Sequence, residues 1–379
     1  LTDWYNLKFL ESATNLSNVL KRSFDHELSV IVARDVTVAL QQGRLFFEQA
    51  QESPIQIRPL LVYYGVLSFA RAVTMAVKNI PLAEIVPSHG ISDAGAPTSV
   101  EGLSLTVKKN GTFQQFNDVI APLSRFYYSE HSMPQSVVRP FDLAAPLEKK
   151  TITILDILSR LSEPHGAIDE SRIAEPNYLH VDVRPYQLNS WHLRLDERPL
   201  IENRENLVAL VSSLRDRYPF LKHWRLQSAQ LAYNRTLLMF DNRSENMGDD
   251  LSEMELIRLD ETTYKSAVDR TGGGENYVRP EDILPPLTGG YGQYTLRTAV
   301  RPLHGVALNE YPLLFLGSFL LSSLVRYRPE LWQHALSRSN TTDFPADDRS
   351  LSAIERFVGT VLASFPPFVV SILDYRGNH

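Results

Sequence analysis

The sequence predicts an α+β protein, predominantly helical, in which N- and C-terminal helices pack together and a mostly antiparallel sheet is inserted in the middle. Three observations support that class. The first 85 or so residues, and those from Asn309 onward, carry apolar side chains at helical spacing. The stretch from roughly 176 to 305 instead alternates apolar and polar residues in short runs, as half-buried strands do. Both terminal regions are too apolar to stand alone in water, which motivates pairing them. The expected division is a mainly helical region over 1–175 with a β-hairpin near 104–116, an α+β insert over 176–305, and helices over 306–379 that pack back on the first region.

Taken in order, VTVALQQGRLFFEQA mixes Val36, Val38, Leu40, Leu45 and Phe46 with polar residues at roughly helical intervals. The next helix is IRPLLVYYGVLSFARAVTMAVKN, with Pro59 well placed at its start. Leu60, Tyr63, Tyr64, Leu67 and Arg71 follow at steps of three and four, and the helix is apolar nearly all round, which predicts a central position. SLTVKKNGTFQQF alternates and contains Asn110-Gly111, a hairpin turn signal. TILDILSRL returns to a helical period.

The middle opens with YLHVDVR and SWHLRLD, separated by PYQLN. Leu179, Val181 and Val183 share one face with Trp191, Leu193 and Leu195, and the other face holds His180, Asp182 and Arg184 across from His192, Arg194 and Asp196. A helix follows with the stripe Leu207, Leu210, Val211 and Leu214, ended by Pro219. LAYNRTLLMF, MELIRLD and YTLRTAV supply further strands. Near the C-terminus, YPLLFLGSFLLSSLV falls short of the ~20 residues that span a bilayer and carries three serines, so it reads as a buried core helix. SAIERFVGTVLASF forms an amphipathic stripe of Ile354, Phe357, Val358, Val361, Leu362 and Phe365, with Pro366-Pro367 expected to stop it.

Composition excludes several chemistries. With no cysteine there is no disulfide, thiolate zinc site, iron–sulfur cluster or thiol nucleophile. A net charge of −6 argues against indiscriminate nucleic-acid binding while leaving room for a local basic cleft. The 43% hydrophobic and 22% charged content is that of a soluble globular protein, and the opening LTDWYNLKFL lacks a basic, signal-type segment, so a cytoplasmic location without membrane association is expected. No HExxH or G-x-S-x-G motif occurs, and neither a metal nor a cofactor is expected.

One constellation with chemistry is RPELWQH, Arg328 to His334, whose arginine–five residues–histidine spacing matches the signature of the metal-free HEPN ribonucleases. In that role His334 is a general base toward a ribose hydroxyl and Arg328 stabilises the charged transition state, with the pair at a dimer interface. Pro329 favours the first turn of a helix and pushes Arg328 toward an extended conformation, so the two could converge at a junction. The plainer reading is preferred: Arg326 and Arg328 satisfy carbonyls ending the preceding helix, Trp332 packs inward and His334 lies on the surface. Five Arg-to-His pairs at this kind of spacing occur in the chain, so spacing alone says little.

The hairpin face gives a second constellation. His180, Arg184, His192 and Arg194, together with Arg326, are candidate ligand or nucleic-acid contacts, against the simpler view that Asp182 opposite Arg194 fixes register on a solvated face. His180, Asp182 and His192 would converge on a metal in one register, a reading set below the others. The glycine stretches around Gly272–Gly274 and Gly289–Gly292 fit no phosphate-cradling motif, and nucleotide sensing there ranks lowest. EPHGAIDE, with His165, Asp169 and Glu170, reads as a polar loop, and Tyr63-Tyr64 reads as core rather than a base-stacking platform, a role also open to Tyr127-Tyr128.

Three places together resemble the YaaC-like protein family of bacteria: WYNLKFLESATNLSNVLKRSF; PIQIRPLLVYYGVLSFARAV with HGIS and KKNGTFQQF after it; and FLLSSLVRYRPELWQHAL followed by ERFVGTVLASFPPFVVSIL. The family pattern at the third place falls on Arg326, Tyr327 and Trp332, with His334 outside it, and the resemblance implies no catalytic residues. The expected function is a cytoplasmic component acting mainly through protein partners, in bacterial stress or antiviral defence. The alternative is the Arg328/His334 ribonuclease, with RNA and a second copy of the chain as candidate partners.

Overall fold

The structure is a computed structural model, and it describes residues 4–25, 27–120, 126–129, 138–141, 147–161, 174, 176–187, 190–197, 203–223, 225–232, 235–241, 256–258, 296–306, 308, 310–336 and 348–374. In chain order the elements are α1 (Tyr5–Leu10), α2 (Ala13–Phe24), α3 (Val30–Glu52), α4 (Arg58–Lys78), β1 (Ile91–Asp93), β2 (Ser104–Val107), α5 (Thr112–Ile120), β3 (Phe126–Ser129), β4 (Val138–Phe141), β5 (Thr151–Thr153) and α6 (Ile154–Leu158). There follow β6 (Tyr178–Gln187), β7 (Ser190–Glu197), α7 (Arg204–Arg217), β8 (Arg225–Ala232), β9 (Arg235–Asp241), β10 (Leu256–Arg258), β11 (Leu296–Val300), α8 (Glu310–Tyr327), α9 (Pro329–Leu336) and α10 (Asp348–Leu373). The chain forms two compact units, one of residues 1–122, 146–176 and 310–379, the other of 123–145 and 177–309. Residues 123–145 thus belong with the second unit rather than with the N-terminal region.

The first unit is helical, and the two ends of the chain share its core. Ser12 and Ser29 cap α2 and α3 through their hydroxyls, each accepting from a first-turn N–H. Asp25 and Asn79 end α2 and α4 in the left-handed conformation. Arg44, buried on α3, holds α1 by a two-pronged ion pair with Glu11 (2.5 and 3.0 Å) and also reaches Glu48 (2.7 Å). α3 and α4 cross closely because each places a glycine under the other's phenylalanine: Gly43 lies beneath Phe69, and Gly65 beneath Phe47. Phe365 of α10 packs on Phe47 and Phe69, Phe315 of α8 packs on Tyr63, and Phe116 of α5 touches both C-terminal helices through Phe315 and Phe365. α4 and α10 are each long and apolar enough to cross a membrane, and their 18-residue apolar stretches are 72% and 50% buried within the fold.

A three-stranded antiparallel sheet, β1–β2–β5, adjoins these helices, with Ile91 opposite Val107 and Leu105 opposite Ile152. Here two expectations are corrected. Asn110-Gly111 does not turn a β-hairpin: β2 ends at Val107 and α5 begins at Thr112. Gly111, at φ +153°, lets the backbone cross against Gly90, and the N–H groups of Thr112 and Phe113 donate to the carbonyls of Ser88 and His89 (2.8 and 3.1 Å). Nor do Pro366 and Pro367 stop the last helix, because α10 continues to Leu373. Phe365, Phe368, Val369, Ile372 and Leu373 are all buried there, and this burial outweighs the roughly 3 kcal/mol that a proline costs inside a helix.

The second unit contains a six-stranded sheet in the order β10-β8-β9-β7-β6-β11, antiparallel except where β10 pairs parallel with β8. LAYNRTLLMF divides between the end of β8 and β9. α7 buries Leu207, Val211 and Leu214, and β8 and β9 bury Leu226, Ala229, Leu238 and Phe240. β3 and β4 pair as a separate antiparallel ribbon.

Candidate functional site

The α8–α9 junction places the sequence-predicted pair first. α8 ends at Tyr327 and α9 begins at Pro329, so Arg328 is the hinge residue, and its carbonyl accepts from Trp332 N–H (2.9 Å). Its guanidinium donates to Asp93 Oδ2 of β1 (2.9 Å) and to the carbonyl of Gly95 (3.1 Å). Ser323, one turn back on α8, donates to the same Asp93 oxygen. Arg328 is therefore neutralised and oriented by a partner 235 residues earlier in the chain. His334 lies exposed on α9 and shares no hydrogen bond with Arg328. Trp332 is buried and donates through its indole N–H to the carbonyl of Gln56 (3.0 Å), which ties α9 to the turn before α4.

Arg326 faces a different set of neighbours. It donates through Nε and Nη2 to the carbonyl and hydroxyl of Ser322 on its own helix (3.2 and 3.1 Å). Its guanidinium carbon lies 5.9 Å from the ring centre of Tyr63 and 4.8 Å from that of Tyr327. Tyr63 is fully buried in α4, and its hydroxyl meets Nδ1 of His89 at 2.7 Å. Arg71, two turns further along α4, acts electrostatically on both Tyr63 and His89. Its Nε is buried with no hydrogen-bond partner among the described residues.

His89 is held by backbone geometry rather than by its own helix. It lies just before β1, where Gly90 at φ +79° and Gly111 cross at a distance that no Cβ would permit. Its carbonyl caps α5, and the carbonyl of Gly90 accepts from Lys108 N–H (2.9 Å) and from the Gln114 amide (2.8 Å). Burial pushes the imidazole below its ordinary pKa, and the charges of Arg326, Arg71 and Lys108 lower it further. Burial likewise pushes the Tyr63 phenol well above its usual range, so it keeps its proton. With His89 its only partner among the described residues, the buried Tyr63 hydroxyl donates to Nδ1 to be satisfied. The neutral ring then carries its hydrogen on Nε2.

The result is a half-buried cluster in which the charges of two arginines and a lysine act on a neutral histidine, and no carboxylate acts on His89, Arg71 or Tyr63 among the described residues. Such a group can bind negative charge and donate hydrogen bonds. Composition and spacing pointed to Arg326 but missed Arg71, His89 and Asp93. The available signal was a lone arginine inside an otherwise apolar helix, which demands a reason.

The sheet residues occupy the predicted register, with Asp182 opposite Arg194, Arg184 opposite His192, and His180 opposite Thr298 of β11. No metal-ligating group of three occurs among the described residues. The glycine stretches at 272–274 and 289–292, and His165, Asp169 and Glu170, lie outside the described residues.

No curated protein and no solved structure matches the chain. The YaaC-like protein family matches residues 4–373, nearly the whole length. The segments that carry the likeness supply Tyr63 and Arg71, His89, Lys108, and Arg326, all of which meet in the cluster. The chain belongs to the YaaC-like family.

Proposed function

We propose that this YaaC-like protein acts through protein partners, beginning with a second copy of itself, by way of the outer face of α3. The observation that carries this reading is a seam of exposed apolar residues at heptad spacing. Ile31, Val38 and Leu45 are 56%, 57% and 51% exposed, while Val32, Val36, Leu40 and Phe47 bury the opposite face of the same helix. The intervening exposed positions are Arg34, Gln41 and Gln42, so the seam is nearly neutral. Exposed aliphatic residues repeated every seven positions are what a helix uses to receive another helix. The seam is also symmetric about Val38. An antiparallel two-fold pairing sets Ile31 of one copy against Leu45 of the other and Val38 near the axis, which makes the face self-complementary.

Sedimentation equilibrium of the full chain tests the reading. A dimer is expected, and Val38→Glu is expected to weaken it at least about tenfold by burying a charge at the axis. A wild-type chain that stays monomeric at ~100 µM would remove the second copy as occupant. Bacterial stress or antiviral defence, the wider setting attached to this reading, rests on the family likeness. It is tested by challenging cells that carry or lack the gene with phage.

A further inference from the structure

We infer that the cluster around His89 is a binding site for a phosphate group carried on a small molecule, with Arg71, Arg326, Lys108 and the Nε2–H of His89 as its contacts. Four observations converge on it. Arg71 has a buried Nε with no partner among the described residues, and a buried N–H left so is costly unless something pairs with it. Arg326 spends Nε and Nη2 on Ser322 of its own helix and leaves Nη1 without a partner among the described residues. His89 is fixed by Tyr63 in the tautomer that turns it into a donor at Nε2. The aspartate on β1, Asp93, is engaged by Ser323 and Arg328 instead of by these cations.

The chemistry selects phosphate. Three cations and one neutral N–H match a dianion with several oxygens better than a carboxylate, and guanidiniums carried by two different helices can each pair with a phosphate oxygen. A small ligand fits better than a polynucleotide, since the net charge of −6 opposes long phosphate chains and the cluster is half-buried. The seam on α3 plays no part in this site, so the two proposals stand or fall separately.

Calorimetric titration of the full chain with inorganic phosphate, and in a second arm with a nucleoside monophosphate, tests the site against sodium chloride of matched ionic strength. Saturable binding is expected in at least one arm, with the 15N resonance of His89 Nε2 moving on titration. Arg71→Gln and Arg326→Gln are each expected to weaken binding about tenfold or more. Arg71→Gln should also raise the Tm of the protein without phosphate, because it removes a half-buried charge whose buried Nε has no partner among the described residues; a merely structural arginine would lower it. Lys108→Gln, at an exposed position where folding is not at risk, should weaken binding a few-fold. Chloride acting as well as phosphate, acetate binding more tightly than phosphate, or affinity unchanged in both arginine variants would overturn the assignment.

Discussion

Arg328 and His334 are six residues apart, and the structure gives them unlike surroundings. Arg328 pairs with Asp93, whereas His334 is exposed. Arg328→Ala leaves the carboxylate of Asp93 with Ser323 as its one remaining partner among the described residues and should cost about 1–3 kcal/mol in denaturant unfolding, while His334→Ala should stay within about 0.5 kcal/mol. RNA incubated in EDTA with wild type and with His334→Ala is expected to remain uncut in both. A second single-residue prediction concerns Glu310 in the first turn of α8, where burial pushes the carboxyl from the ordinary 4.5 up to about 7. The native state holds that proton more tightly than the unfolded chain does. Its contribution to stability is therefore full at low pH and is lost as pH rises from about 4.5 through about 7, at up to about 1.4 kcal/mol per pH unit. Unfolding curves between pH 5 and 8 should show wild type weakening and Glu310→Gln changing less. At this scale the sequence revealed little, because the partners of Arg328 and His89 come from distant segments. No spacing rule links residue 93 to residue 328.

At the scale of elements, periodicity found the helices and strands, and errors arose where tertiary packing overruled local chemistry. Asn110-Gly111 has the composition of a hairpin turn, but the crossing with Gly90 and the carbonyls of Ser88 and His89 draw the next residues into a helix. Pro366-Pro367 reads as a stop, and the buried residues on either side keep the helix going. The register of β6 and β7 was legible because alternation leaves one solution in which apolar residues share a face. The α3–α4 contact was not legible, since a glycine inside a helical pattern announces no particular neighbour. Its role gives a prediction: Gly65→Ala drives a methyl into the Phe47 ring and should destabilise the protein by about 1–3 kcal/mol, measured by thermal or urea unfolding. Ala at Gly359, where among the described residues nothing outside the local helix backbone lies within 4 Å of the added methyl, should be neutral or slightly stabilising because alanine favours helix.

At the scale of the whole molecule, the helical unit is assembled from three separated stretches, with residues 123–145 and 177–309 forming the other unit. The expected pairing of terminal helices holds because neither end can bury its apolar surface alone: α4 is apolar nearly all round, and α8 supplies fourteen buried residues against it and its neighbours. The acidic chain also concentrates positive charge around His89, and net charge gave no hint of that local field. The aromatic core has a further consequence for how the protein is made. During synthesis, Phe47, Tyr63, Phe69 and Phe116 leave the ribosome long before Phe315 and Phe365, the rings that cover them. The nascent N-terminal helices must wait, sticky and half-clad, through the translation of an entire intervening unit, which makes them natural clients for a chaperone.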